Sequence, residues 1–177
     1  DVGVDADLGF VVAYAGNDAD QGGIFARIYG ASGVNPSEAF RVNAEGTLNV
    51  LSAAAEAGVE RVLAVSSADV YGKVDPSELP LTEDSPLRPA SPYAASKVAA
   101  DYLGLQAWLG NGLPVLRVRA FNHLGPGQTD KFVAPAIASR IARAELGEGS
   151  DVLPIGDLSA RRDFTDVRDV VRAYRLL

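Results

Sequence analysis

An α/β fold, with a parallel sheet flanked by helices, is predicted for this chain by three observations. From Asn35 onward, helix-like and strand-like segments alternate, the pattern produced when helices cross over between parallel strands. Residues 62–65 form an apolar run without polar alternation, which reads as a parallel strand buried on both faces. The helical segments also carry start and stop signals: Asn35-Pro36 and Ser91-Pro92 at their beginnings, Gly58 and Gly110-Asn111-Gly112 at their ends.

Residues 8–15 and 24–29 are both apolar enough for strands. Leu8, Val11 and Val12 also fit helical spacing, so periodicity leaves the first of these segments open. Asn35 is placed to cap a helix, with Pro36 as its first residue and Glu38 at the capping-box position. That helix is predicted to run to Ala57, where Gly58 stops it. The strand of residues 62–65 ends in Ser66 and Ser67. A polar, proline-bearing loop over 72–90 leads to a second helix, capped by Ser91 and opened by Pro92, running to about Leu109. Residues 114–120 form the next predicted strand, 135–146 a helix and 151–155 a short strand. A last helix starts near Asp166 with Val167, Val170, Val171 and Tyr174 on one face. Trp108 is expected to pack on the apolar face of its helix. The sequence has no internal repeat, low-complexity tract or linker.

The 177 residues suit one domain with a sizeable core, and a hydrophobic content of 47% with 22% charged residues is ordinary for a globular protein. The net charge is −7 with basic residues scattered, so no nucleic-acid footprint is expected. The absence of cysteine excludes a disulfide framework and thiol chemistry. One histidine without a second His or Cys partner gives no expectation of a metal site. No signal peptide or membrane-length apolar run is evident, so no membrane association and a cytoplasmic location are expected.

The residues with the clearest chemical promise lie in Ser91-Pro92-Tyr93-Ala94-Ala95-Ser96-Lys97. Tyr93 and Lys97 are four residues apart and share one helix face. A cation beside a phenol favours the phenolate, which makes Tyr93 a candidate general acid/base and Lys97 its electrostatic partner. A surface helix carrying both residues by chance is the alternative. Ser67 falls at the carboxyl end of the predicted parallel strand, where open sheets bind ligands. Its alternative role, shared with Ser66, is hydrogen bonding within the local turn.

Four segments in order resemble the extended short-chain dehydrogenase/reductases, the NAD-dependent epimerase/dehydratase group that acts on sugar nucleotides. They are Asn43-Ala44-Glu45-Gly46-Thr47 with its flanking helix, Ser66-Ser67-Ala68-Asp69-Val70-Tyr71-Gly72 with Tyr93 and Lys97 downstream, Arg119-Ala120-Phe121-Asn122-His123-Leu124-Gly125-Pro126-Gly127, and Arg162-Asp163-Phe164-Thr165-Asp166-Val167-Arg168-Asp169. The resemblance covers nearly all of residues 35–177. Asn122-His123 and Gly125-Pro126-Gly127-Gln128 are most similar to GDP-6-deoxy-4-keto-mannose reductases and GDP-mannose 4,6-dehydratases.

The resemblance implies a Rossmann-like NAD(P)-binding domain over 1–177, with the start of a substrate-binding part at about 121–177. By analogy, residues 8–15 are a helix and 24–29 a strand leading to the cofactor edge. Tyr93 takes the acid/base role, Lys97 supports it and holds the nicotinamide ribose of NAD or NADP, and Ser67 hydrogen-bonds the reacting sugar oxygen. His123 contacts the nicotinamide, Asn122 the substrate, and Arg162 the diphosphate, where a guanidinium can bind bidentately. The alternatives are a structural His123 and a surface ion pair between Arg162 and Asp163 or Asp166. Asp69 matches an acidic general base of the dehydratases, or is a solvated carboxylate in a turn. Ala68 stands where some dehydratases carry a second carboxylate, which favours reduction of a GDP-linked 4-keto-6-deoxy sugar over elimination. A 4-epimerase or 4,6-dehydratase stays open, as does a non-catalytic interaction module. No G-x-x-G-x-x-G or G-x-G-x-x-G loop occurs, so the domain is expected to be truncated, either a piece of a longer product, the favoured reading, or an isolated remnant that no longer binds cofactor. Family relatives dimerise through helices matching 36–57 and 92–109, which implies a homodimer here.

Overall fold

The computed structural model describes residues 4–5, 9–16, 23–28, 36–149, 152, 154–156, 159 and 161–177. They fall into two compact units, residues 1–120 with Leu177, and residues 121–176.

In the first unit, β1 (Val4–Asp5), β2 (Gly9–Gly16), β3 (Gly23–Ile28), β4 (Val62–Val65) and β5 (Val115–Val118) form one sheet in that order. The strands β3, β4 and β5 are parallel, with Ala26 opposite Ala64 and Ala64 opposite Arg117. This is the α/β arrangement that the alternating pattern predicts. The other side of the sheet differs from expectation. Residues 9–16 are a strand rather than a helix, paired antiparallel to β3 from Val11↔Ile28 to Gly16↔Gly23, and β1 continues antiparallel on β2. Phe10, Val11, Val12 and Tyr14 are good strand formers. Spacing alone suited both states, and a partner edge some ten residues away settles the choice through backbone hydrogen bonds.

The helix that follows runs from Pro36 to Ala57 but is not uniform: α1 (Pro36–Phe40), a π-helical segment (Arg41–Glu45) and α2 (Gly46–Ala57) succeed one another. Its expected cap, Asn35, lies outside the described residues. Gly58 ends it in the left-handed conformation. The second long helix, α3 (Pro92–Asn111), begins as predicted, with Ser91 Oγ accepting the Ala94 amide at 3.1 Å and Pro92 in the first turn, and ends on left-handed Gly112. Leu51 and Ala54 of α2, Val62 of β4, Ala107 of α3 and Leu113 form the core between helices and sheet. Full burial of side chains such as Leu51 and Val62 contributes roughly 1.5–3 kcal/mol each. Trp108 does not join this core: it is 51% exposed, because the buried stripe of α3 runs through the small residues Ala94, Ala100, Gly104 and Ala107.

The second unit holds β6 (Asn122–Leu124) and β7 (Phe164–Asp166), a parallel pair, with α4 (Val133–Glu145) and α5 (Val167–Leu176). A hypothetical Cβ on Gly125 would lie 2.3 Å from Val167 Cγ1, so only glycine lets α5 come so close to the end of β6. Neither short strand was legible in the sequence. Of the strand expected at 151–155, Asp151 and Leu153 lie outside the described residues, and Val152, Pro154 and Ile155 are not in a strand. On α5, Val167, Val170 and Tyr174 are half-buried and Val171 is exposed. Among the described residues no helix is long and apolar enough to cross a membrane.

Candidate active site

The parallel strand β4 delivers its serines to the carboxyl edge of the sheet. Pairing with the chain beyond β5 continues through them: the Ser66 amide donates to Val118 O at 2.7 Å and the Ala68 amide to Ala120 O at 2.9 Å. Ser67 is extended and caps a single 3-10 turn, Ala68–Tyr71. Its Oγ accepts the Asp69 amide at 3.2 Å, the local bond expected of a serine in this position. That bond uses a lone pair and leaves the Ser67 hydroxyl proton to be donated elsewhere. The Asp69 carboxylate is exposed at the start of the turn, while Val70 and Tyr71 are buried.

The chain leaves this turn at Gly72, with φ 67°, and a Cβ there would fall 1.9 Å from Arg88 O. The Arg88 amide in turn donates to Val70 O at 2.9 Å. The far end of the 72–90 loop is thus held against the serine turn, and any side chain at Gly72 would force the two apart.

The first two turns of α3 carry Tyr93, half-buried, and Lys97, buried with 6% exposure. Lys97 Nζ donates to Val65 O at 3.3 Å, which places the ammonium at the carboxyl end of β4, two residues before Ser67. Between them on the helix, Ser96 is fully buried. Its hydroxyl donates to Tyr93 O at 2.7 Å and accepts from Asn43 Nδ2 at 2.9 Å. Because the Ser96 proton is committed to a carbonyl, only the amide nitrogen of Asn43 can face it. Asn43 lies in the π-helical segment, 1% exposed, and its Oδ1 is buried without a hydrogen-bond partner. A short π-helical stretch inside a longer helix is a frequent companion of functional sites.

One turn beyond Lys97, the Asp101 carboxylate is fully enclosed and paired with two arginines of β5 and its extension. Its Oδ1 accepts from Arg117 Nη1 at 2.6 Å and from Arg119 Nη2 at 3.1 Å, and its Oδ2 accepts from Arg119 Nε at 2.9 Å. Burial alone would raise the Asp101 pKa, but the hydrogen bonds and charges of Arg119 and Arg117 outweigh it and hold the carboxyl below its ordinary value. The same hydrogen bonding to Asp101 raises the pKa of Arg119, against the opposing effect of burial.

In the second unit, Asn122 and His123 are neighbours on β6, opposite Phe164 and Thr165 of β7. Asn122 is exposed and His123 half-buried. His123 Nδ1 lies 3.2 Å from Phe121 O; a carbonyl only accepts, so Nδ1 carries the proton in this contact. Arg162 is exposed two residues before β7, and its Nη1 donates to Arg161 O at 2.8 Å. The ion pair with Asp166 considered for Arg162 is made by Arg168 instead, at 2.6 Å. Hydrogen bonds from Arg168 hold the Asp166 carboxyl well below the usual carboxylate range.

Ser67, Asp69, Tyr93 and Lys97 therefore belong to one compact unit, and Asn122, His123 and Arg162 to the other. Sequence reasoning missed the buried polar residues behind the first group: Asn43, Ser96, Asp101 and Tyr71. A signal for Asp101 was present, because it sits four residues after Lys97 on the small-residue face of α3, where a carboxylate requires a partner. Arg119 stood within a quoted motif, but its partners come from three separate segments.

The chain is 45% identical over 145 residues to GDP-6-deoxy-D-mannose reductase of Pseudomonas aeruginosa, a match covering 81% of this chain and 48% of the relative. It is 37% identical over 132 residues to dTDP-glucose 4,6-dehydratase of Streptomyces griseus, covering 75% and 38% of the two chains. Among solved structures, RMD from Pseudomonas aeruginosa complexed with NADPH superimposes with a TM-score of 0.76 at 44% identity, covering 80% of this chain and 49% of that one. DesIV, a dTDP-glucose 4,6-dehydratase from Streptomyces venezuelae with NAD and TYD bound, gives a TM-score of 0.68 at 31% identity, covering 82% and 45%. The chain thus spans about half the length of the relatives it matches. Residues 24–177 match one family as a whole, and with the serine turn, Tyr93 and Lys97 disposed as described, the chain belongs to the NAD dependent epimerase/dehydratase family.

Proposed function

We propose that this chain forms part of an NAD(P)-dependent reductase of a nucleoside-diphosphate 4-keto-6-deoxy sugar, with a GDP-linked substrate. The observation that carries the reading is the placement of Lys97 Nζ on Val65 O. It draws the helix that carries Tyr93 and Lys97 to the strand end from which Ser67 emerges, the carboxyl edge where open parallel sheets bind ligands.

These residues fit the ribose and nicotinamide end of the cofactor: a buried ammonium and a half-buried phenol one turn apart. When bound, the cofactor supplies hydride chemistry. Ser67 donates its hydroxyl proton as a hydrogen bond to the C4 carbonyl oxygen of the sugar. Tyr93 delivers a proton to that oxygen as C4 is reduced, so the ketone becomes a secondary alcohol and the tyrosine a phenolate. Lys97 stabilises the phenolate by charge until solvent reprotonates it. His123 would contact the nicotinamide, and Asn122 and Arg162 the substrate. Elimination is less well served, because Asp69 is followed back along the chain by Ala68 rather than by a second carboxylate.

The 45% identity with a GDP-6-deoxy-D-mannose reductase supports reduction and the GDP link. The test is a substrate panel, using a form of the protein that includes a Gly-rich cofactor loop. Net oxidation of NADPH or NADH with GDP-4-keto-6-deoxymannose is expected. Formation of a 4-keto sugar from GDP-mannose without net cofactor turnover, or interconversion of 4-epimers, would replace this reading with dehydration or epimerisation.

A further inference from the structure

We propose that Asp101 is a positioning residue: acting through Arg119 and Tyr71, it fixes the turn that carries Ser67 and Asp69 against the helix that carries Tyr93 and Lys97. The inference deepens the reductase reading and rests on it for its catalytic consequence.

Asp101 belongs to α3, one turn after Lys97, and its residue is 2% exposed. A buried carboxylate with two arginines gains little stability over a well-packed apolar group, so the geometry it imposes is the more distinctive contribution. Arg119 binds Asp101 through Nε and Nη2, which fixes the plane of the guanidinium. The remaining terminal nitrogen, Nη1, then points at two other segments. It donates to Tyr71 Oη at 3.1 Å and to Glu83 O at 2.8 Å. The guanidinium carbon also lies 5.4 Å from the centre of the Tyr71 ring, within cation–π range.

Tyr71 is the last residue of the 3-10 turn that Ser67 caps. A single guanidinium therefore joins α3, the serine turn and the 72–90 loop. The other ties of the serine turn are backbone bonds: the Ala68 amide to Ala120 O at 2.9 Å, the Arg88 amide to Val70 O at 2.9 Å and, within the turn, the Val70 amide to Ser67 O at 3.3 Å and the Gly72 amide to Asp69 O at 3.1 Å; none of these reaches α3. Without Arg119 oriented by Asp101, Ser67 would keep its place on the strand, but the end of the turn would lose its anchor to α3. Misplacement of about 1 Å between reacting groups can cost on the order of a hundredfold in rate.

The test uses amide hydrogen exchange on the 177-residue chain, followed residue by residue by NMR. Tyr71→Phe removes only the hydroxyl. It is expected to speed exchange at Asp69, Val70 and Gly72 by about fivefold, while amides of β4 and β5 stay within about twofold. Asp101→Asn is expected to give about 10- to 100-fold at the same amides, and Asp101→Glu, which restores the charge, to recover part of it. Should Asp101→Asn fail to fold, Tyr71→Phe and Asp101→Glu decide. Uniform loss of protection across the sheet would make Asp101 merely structural, and unchanged exchange in the turn would overturn the linkage.

In a catalytically competent form, Tyr71→Phe is expected to lower kcat about tenfold with KM within about twofold. An unchanged kcat would overturn the catalytic consequence. The exchange measurement needs neither substrate nor cofactor. A protein that reduces no sugar nucleotide but shows the local exchange pattern would sink the reductase reading and leave the anchoring intact.

Discussion

Replacing Ser96 with alanine tests the buried polar chain that runs from the π-helical segment to α3, the helix that carries Tyr93 and Lys97. Ser96 is fully buried and Asn43 is 1% exposed. Among the described residues, the 2.9 Å bond between them is the one hydrogen bond of the Asn43 side chain, whose Oδ1 already lacks a partner. Ser96→Ala leaves Nδ2 buried and unpaired as well. An unsatisfied buried donor costs about 1–3 kcal/mol, and the better helix propensity of alanine returns about 0.5 kcal/mol. A net loss of about 1–2 kcal/mol is expected. For a chain of this size that is a fall in Tm of roughly 2–8 °C.

Asn43→Leu should behave differently. It removes both amide groups, including the orphaned Oδ1, and Ser96 still donates to Tyr93 O. The expected change is within about 1 kcal/mol, and the double variant should match Asn43→Leu rather than sum the two losses. Urea unfolding followed by the fluorescence of Trp108, the sole tryptophan, measures all three. A Ser96→Ala chain as stable as the parent, or an Asn43→Leu chain less stable than Ser96→Ala, would refute the assignment of the hydrogen bond.

Four other outcomes are expected. The Asp101 carboxyl titrates below its ordinary value in the folded chain, so its contribution is fully present above about pH 4–5 and is lost as the pH falls through the lowered pKa; acid titrations of the parent and Asp101→Asn should be parallel at neutral pH and converge at lower pH. Calorimetry should find weak or no NAD(P) binding by the 177-residue chain, which has no Gly-rich loop to cradle the pyrophosphate; tight, stoichiometric binding would contradict this. In a competent form, Tyr93→Phe should lower turnover by about 10²- to 10⁴-fold with binding largely kept, and near-normal turnover would remove Tyr93 from the mechanism. Light scattering at tens of micromolar should show a dimer, because Leu48 of α2 and Tyr102, Trp108 and Leu109 of α3 remain exposed on the two helices; a clean monomer would count against that interface.

Several elements were legible because their causes are local. Ser91 and Pro92 can start a helix, and Gly58 and Gly112 can end one, through groups no more than a few residues away. The uninterrupted apolar run of β4 specifies a strand covered on both faces, and the four-residue spacing of Tyr93 and Lys97 puts them on one helix face whatever surrounds them. The tertiary structure decided what depends on distant partners. Leu8, Val11 and Val12 suit either state, and pairing with β3 makes residues 9–16 a strand. The three-residue strands β6 and β7 carry no period of their own and exist through each other. Ser96 shows nothing in sequence of its bond to Asn43, 53 residues earlier. Arg119 likewise gives no sign that its guanidinium will meet Asp101, Tyr71 and Glu83 at once. Caps and periodicity are written within a few residues, whereas a buried charge or hydroxyl takes its partner from whichever segment the folded chain brings within about 3 Å.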